Sequence, residues 1–243
     1  MRKPVLVAAL LTVSLASAKV FVDLVPRWRT AAARRLYEEF DCTRTQPVPV
    51  RLNVNLLQNP GLEGPCGWTG EPFKRRWIAS AGSLSGKFHF QLESEHDAIW
   101  QEVDLTPIAR QLADDCCAVT ISGFLKVEGF GSVDYGIGNP CLYLHRTTRT
   151  GGYDGFLNGP AMGYSKEWEP RKSQEWTLGS DTRSLTITLV RWDVHSVWPR
   201  ITAHFDDISL VVHPRGQPPK EMLLPAEREL PGDQRESSAS PGR

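Results

Sequence analysis

The residues best suited to chemistry in this 243-residue chain are aromatic side chains set beside short polar ones. The sequence holds eight tryptophans. Aromatic faces with hydrogen-bonding groups beside them bind ligands that have both apolar patches and polar edges. The composition therefore predicts a binding surface. The candidate binding residues are Trp192, Trp168, Tyr153, Tyr164, Asp154 and Asn158.

Trp192 is a candidate because it ends the alternating segment SLTITLVRW, residues 184–192. Side chains alternate between the two faces of a strand, so the aliphatic residues Leu185, Ile187 and Leu189 face the core and Trp192 faces outward. A loop, or a helix from the N-terminal region, could equally cover a tryptophan on an outer face. Both readings stay open at this point.

The stretch between Gly129 and Trp176 interrupts the alternation and predicts a long loop. It contains GGYDGFLNGPAMGYSKEWEP, whose glycines suit an adaptable surface and whose rings suit anchoring a ligand. Loops of this length in a compact domain are usually functional or disordered. Asp154 and Asn158 would then bond ligand hydroxyl groups beside the rings. The loop could also fold over one sheet and bury its own aromatic rings.

Sequence motifs of known catalytic sites are absent. The chain has no GxSxG, HExxH, Walker or dinucleotide-binding motif, and its six histidines are scattered. His195 near Asp193, and His204 near Asp206, are possible acid–base pairs, but neighbours in sequence are weak evidence for such a pair. We therefore predict that the protein is not an enzyme.

The N-terminus has the features of a secretory signal over residues 1–18. Arg2 and Lys3 give a basic start, residues 5–13 are apolar, and a small-residue cleavage site ends at Ala18. The apolar run is shorter than the roughly 20 residues of a membrane span. We expect a secreted chain with no span in its mature form. Basic and acidic residues number 28 each, so no nucleic-acid partner is expected.

Five cysteines in a chain bound for an oxidising compartment predict disulfides. The odd number leaves one thiol free or intermolecular, and at most two internal bonds fit. Cys116 and Cys117 stand at the start of a strand pattern, so their side chains are expected on opposite faces. No CxxC spacing indicates a metal site.

Three regions follow the signal segment. Residues 19–50 combine a helix at 27–41 with a proline-containing connector, and the helix is expected to pack on the domain through Trp28, Leu36, Tyr37 and Phe40. Residues 51–213 show short alternating runs typical of a β-sandwich or barrel. Within them, KFHFQLE (87–93) places Phe90 inward and His89 outward, and residues 105–115 predict a helical turn or two. Residues 214–243 predict a disordered, proline-rich tail.

Four segments of the β region carry a family resemblance. They are NLLQNPGLEG (55–64), SLSGKFHFQLES (83–94), IWQEVDLTP (99–107) and AHFDDISLVV (203–212). In this order, over residues 53–213, they resemble the carbohydrate-binding modules of the galactose-binding-like jelly-roll superfamily. The resemblance implies an all-β jelly-roll sandwich with Trp68 in its core, and non-catalytic binding of a glycan or glycosylated partner through exposed aromatic rings.

The resemblance also implies a structural calcium ion (Ca²⁺). Its carboxylate ligands would be Glu63 and Asp206, with Asp207 as a substitute and a backbone carbonyl near Gly86 contributing. The alternative function is a secreted adhesion or receptor-type sandwich that binds a protein partner. The opening NLLQNP segment is also similar to the F-box-associated glycoprotein-binding domains, but the signal segment and the lack of an F-box speak against that branch.

Overall fold

The computed structural model describes residues 31, 34–44, 47–70, 73–93, 97–128, 139–150, 153–158, 165–192 and 202–219. The predicted signal segment and most of the predicted tail lie outside these residues. Among the described residues, no helix has the length and apolarity to cross a membrane.

Two antiparallel sheets form the domain. The first sheet has the spatial order β1-β4-β10-β6-β7, and the second has the order β2-β3-β11-β5-β8, with β9 also pairing with β5. This all-β jelly-roll sandwich confirms the predicted fold class. The strands of the first sheet are β1 (Thr69–Gly70), β4 (Ala98–Asp104), β6 (Asn139–Thr148), β7 (Tyr153–Asn158) and β10 (Thr182–Trp192). Those of the second are β2 (Ile78–Ala79), β3 (His89–Leu92), β5 (Cys117–Glu128), β8 (Glu169–Lys172), β9 (Trp176–Leu178) and β11 (Thr202–Pro214).

The core lies between the two sheets and is built by alternation. Leu185, Ile187 and Leu189 on β10 are fully buried, as predicted, and they belong to one apolar cluster with Phe90 of β3. Trp68 is also buried, packing edge-on against Phe90, so the expectation that it belongs to the core is confirmed. Side chains that alternate along each strand thus close the sandwich from both sides.

The N-terminal segment packs on one end of the sandwich. Residues 34–39 are helical; Leu36 is buried, and the Tyr37 hydroxyl donates to the Trp68 carbonyl at 2.6 Å. Phe40 packs edge-on against Phe88, as the sequence predicted for this face of the helix. A disulfide between Cys42 and Cys66 ties the segment to the domain. Trp28 lies outside the described residues.

The prediction of a long loop between Gly129 and Trp176 is wrong in part, because the strands β6, β7 and β8 lie within this stretch. β6 is an inner strand of the first sheet, paired with β10 on one side and with β7 on the other. Leu142 and Leu144 of β6 are fully buried, an alternation that the surrounding Gly-rich sequence concealed. The segment between β4 and β5 forms two short 3₁₀ helices, Thr106–Ile108 and Ala113–Asp115, in agreement with the sequence.

The prediction for the adjacent cysteines is wrong. Cys116 precedes β5 with helical backbone angles, and only Cys117 belongs to the strand. The two sulfur atoms therefore lie on the same side, 3.6 Å apart, and both thiols donate to the Gln111 carbonyl. Strand alternation does not apply when one of two neighbours lies outside the strand.

Candidate functional site

A cluster of aromatic and polar side chains covers the outer face of the second sheet, where β3, β11 and β5 lie side by side. The register pairs His204 of β11 with Gln91 of β3 and with Lys126 of β5. Their strand neighbours Phe90, Phe205 and Leu125 are buried in the core. Alternation therefore places His89, His204 and Lys126 together on the opposite, outer face.

Two histidines form the floor of this cluster. His89 Nε2 lies 2.9 Å from His204 Nδ1, and both rings are almost completely buried. The sequence predicted an outward-facing His89; it does face outward from the core, but it is covered rather than solvated.

The pair leaves two ring nitrogens without a hydrogen-bond partner among the described residues: His89 Nδ1 and His204 Nε2. In a neutral pair one imidazole N–H is used between the rings. Whichever histidine donates, the two remaining nitrogens are then one N–H donor and one lone-pair acceptor. Both of these nitrogens are buried, so the pair is enclosed by its neighbours and is not open to solvent.

Trp168 covers the histidine pair from the segment preceding β8. Its ring centroid lies 5.4 Å from that of His89 at 88°, and 6.3 Å from that of His204 at 77°. The indole N–H donates to the Gly82 carbonyl at 2.9 Å, which fixes the orientation of the ring. Trp168 itself remains half-exposed. The structure therefore gives this predicted binding residue a fixed position.

Two charged residues border the ring. The Lys126 ammonium lies 5.4 Å from the Trp168 ring centroid and 2.7 Å from Glu128 Oε1. The Glu128 side chain is 59% exposed, whereas that of Lys126 is 12% exposed. The Lys126 hydrogen bond lowers the pKa of Glu128, so Glu128 is an ionised acceptor at the rim of the cluster.

Burial controls the protonation of the histidines. It lowers the pKa of His89 to about 4, and the nearby Lys126 charge adds to this lowering. The pKa of His204 is also lowered to about 4, mainly by burial and against the opposing effect of Glu128. Both imidazoles are therefore neutral near pH 7.

The other predicted binding residues are not placed in this cluster. Tyr153, Asp154 and Asn158 belong to β7, at the edge of the first sheet, and Trp192 is the last residue of β10. The side chains of these four residues lie outside the description, as does the whole of Tyr164. Of the six predicted binding residues, only Trp168 therefore has a side-chain position that can be compared with the prediction.

Sequence reasoning missed the histidine pair. His204 was considered only with its neighbour Asp206, and its partner His89 is 115 residues away in the chain. The alternation in KFHFQLE and AHFDDISLVV could have placed both on outer faces. Only the pairing of β3 with β11 brings them into contact.

The carboxylates predicted to bind calcium accept hydrogen bonds from the loop 83–88. Both oxygens of Glu63 accept the Lys87 N–H, at 2.9 and 3.0 Å, and Oε2 also accepts the Phe88 N–H at 3.2 Å. The Asn-Pro-Gly turn positions this side chain, since Asn59 Oδ1 accepts the Glu63 N–H. Gly86 has φ +59° and lies directly under the Glu63 carboxylate.

Asp206 holds the other end of the same loop. Its Oδ2 accepts the Leu84 N–H at 2.9 Å and the Ser85 N–H at 3.3 Å, while Ser85 donates its hydroxyl to Asp207. Asp207 has φ +47° at a register shift in β11. Burial, followed by the charge of Asp207, raises the pKa of Asp206 to about 7, against the effect of the backbone donors.

The carboxylates of Glu63, Asp206 and Asp207 are of the ligand type that calcium binds, but they are too few to complete its coordination. Carboxylate oxygens are among the ligands that calcium prefers. However, nowhere in the described ranges do three or more acidic, histidine or cysteine side chains form a group able to hold a metal ion. A calcium ion here would need backbone carbonyls to complete its six to eight ligands.

Comparison with known proteins finds similarity only at the level of structure. No protein-family model and no curated protein sequence matches the chain. Similar solved structures include a family 16 carbohydrate-binding module, at 16% identity and TM-score 0.44, covering 65% of this chain and 99% of the module.

The tandem CBM22-1–CBM22-2 domain of Paenibacillus barcinonensis Xyn10C is similar at 16% identity and TM-score 0.45, covering 72% of this chain and 49% of that one. The CBM22-1 xylan-binding domain of the same protein is similar at 14% identity and TM-score 0.40, covering 60% of this chain and 86% of that domain. At these values the similarity concerns the sandwich alone.

Proposed function

We propose that this chain is a secreted, non-catalytic module that binds a glycan or a glycosylated partner at the outer-face cluster. The observation that carries the proposal is Trp168, a half-exposed ring fixed over the His89–His204 pair with Glu128 at its rim. Ring faces stack on the apolar C–H patches of sugars, and ionised or neutral polar groups beside the ring bond the hydroxyls.

The geometry of this cluster suits ligand binding better than acid–base catalysis. The fixed indole orientation means that little side-chain entropy is lost when a ligand stacks on the ring. The two histidines are bonded to each other, and His204 Nε2 stays 3.6 Å from Glu128 Oε2, too far for a hydrogen bond. They form a neutral, buried support beneath Trp168, and the exposed Glu128 carboxylate is the polar group beside the ring that a ligand hydroxyl can reach.

A glycan and polysaccharide binding screen of residues 19–243 tests the proposal. We expect binding that Trp168→Ala weakens about tenfold or more, the usual effect of truncating an aromatic anchor. Trp100→Ala is the matched control, because Trp100 is also half-buried but lies on β4 of the other sheet. A blank screen with folded protein, or equal losses in the two variants, would contradict the proposal and turn attention to a protein partner.

The calcium site is part of the same proposal. Glu63 and Asp206, with Asp207 as a substitute, would hold the ion together with backbone carbonyls such as one near Gly86, and its charge would offset the repulsion between the two buried aspartates. Calcium that binds only the folded chain should raise its melting temperature, and a chelator should reverse the effect. Glu63→Gln should remove the calcium response, whereas Asp104→Asn, at an exposed position of β4, should keep it. An unchanged melting temperature in wild-type protein would reject the site.

A further inference from the structure

The adjacent thiols of Cys116 and Cys117 are a feature that ligand binding does not use. Cys116 is exposed and Cys117 is buried, and their sulfur atoms lie 3.6 Å apart. Both thiols donate to a single acceptor, the Gln111 carbonyl, at 3.0 and 3.1 Å. The shared acceptor brings the two sulfur atoms to the same side of the chain.

Backbone contacts hold the pair in this arrangement. The Cys116 carbonyl accepts the Arg215 N–H at 2.7 Å, and Cys117 pairs with Pro214 on β11 and with Leu178 on β9. Both cysteines are therefore anchored by the backbone of neighbouring segments. The proximity of the sulfur atoms is built into the end of the second sheet and does not depend on side-chain rotation alone.

We propose that Cys116 and Cys117 form a redox-labile vicinal dithiol, which closes to a disulfide between neighbouring residues in the presence of a low-molecular-weight disulfide. Cys116, the exposed thiol, loses its proton and attacks one sulfur of the small disulfide RSSR, so that one RSH leaves. Cys117 then loses its proton and its sulfur attacks the Cys116 sulfur, and the second RSH leaves. The two protein thiols are oxidised and RSSR is reduced to two RSH.

Covalent geometry makes this bond labile. Neighbouring Cα atoms are about 3.8 Å apart across a trans peptide, whereas disulfides usually join Cα atoms about 4.4–6.8 Å apart. A bond between neighbours is therefore strained, and strained disulfides are reduced more readily than structural ones. Burial also raises the pKa of Cys117 to about 11, which lowers its thiolate fraction and slows the closing step.

The Cys42–Cys66 disulfide provides an internal standard for the test. The whole chain is equilibrated in glutathione buffers of graded reduced-to-oxidised ratio, free thiols are alkylated, and the protein is analysed intact and after trypsin digestion. Trypsin releases both cysteines in one peptide, residues 111–126. Alkylation should fall from the three cysteines outside the Cys42–Cys66 disulfide to Cys141 alone on oxidation. The peptide should then be two hydrogens lighter and carry no alkyl group.

Reduction of the 111–126 pair should occur at a lower ratio of reduced to oxidised glutathione than reduction of Cys42–Cys66. Cys116→Ser should abolish the internal bond and leave Cys117 alkylated, whereas Cys141→Ser, the matched control, should leave bond formation unchanged. A lasting glutathione adduct on Cys116 with Cys117 still alkylated, or a covalent dimer through Cys116, would overturn the proposal. Simultaneous reduction of both disulfides would refute the lability.

Discussion

Replacement of Gly86 by alanine tests the contact between Glu63 and the loop 83–88. Gly86 has φ +59°, and an added Cβ would lie 1.8 Å from Glu63 Oε1. The left-handed backbone alone costs alanine about 1–2 kcal/mol. Displacing the carboxylate also removes hydrogen bonds from Lys87 and Phe88, each about 1.5–3 kcal/mol for a charged acceptor. Because Glu63 is only partly buried, water replaces some of this loss, and we expect about 3–5 kcal/mol in total.

Gly216→Ala separates the two contributions. Gly216 has φ +76°, but nothing lies within 4 Å of an added Cβ, so this variant should lose only about 1–2 kcal/mol. The free energy of unfolding from denaturant titration measures both variants. In a Glu63→Ala background, Gly86→Ala should cost no more than Gly216→Ala. Equal losses of unfolding free energy for the two glycine variants in the wild-type background would refute a stabilising contact between Glu63 and the loop 83–88.

Two further predictions concern buried polar groups. The neutral His89–His204 pair stabilises the fold fully above pH 6.5, and this contribution is lost as pH falls through about 4, because the unfolded chain takes up protons first. His204→Gln should flatten the decline in unfolding free energy between pH 6.5 and about pH 4. An unaltered dependence of the unfolding free energy on pH would contradict the role of the histidine pair. Gln101→Leu leaves Gln58 and Gly67 backbone groups without their partner and should cost about 2–4 kcal/mol. Glu102→Ala, at the next, exposed position, should change stability by less than about 0.5 kcal/mol.

Much of the fold was predictable because a sandwich needs alternating side chains. The β10 pattern identified the core residues, and the helix around Leu36 and Tyr37 packs as its apolar residues predicted. β6 was missed because its alternation is embedded in a glycine-rich segment. Glu63 and Asp206 were predicted as calcium ligands, and their contacts with the loop 83–88 were not foreseen, because the backbone N–H groups that they accept have no sequence signature.

The sequence by itself determined which face of each strand a residue occupies, since side-chain direction alternates with a fixed period. That rule placed Phe90 and the β10 aliphatic residues inward, and it also places His89 and His204 outward. Only the tertiary structure decided which outward residues meet. Strand order and register join His89 to His204 across 115 residues, and the segment before β8 lays Trp168 over them. Alternation specifies direction within one strand, whereas a site requires contacts between strands that local sequence does not encode.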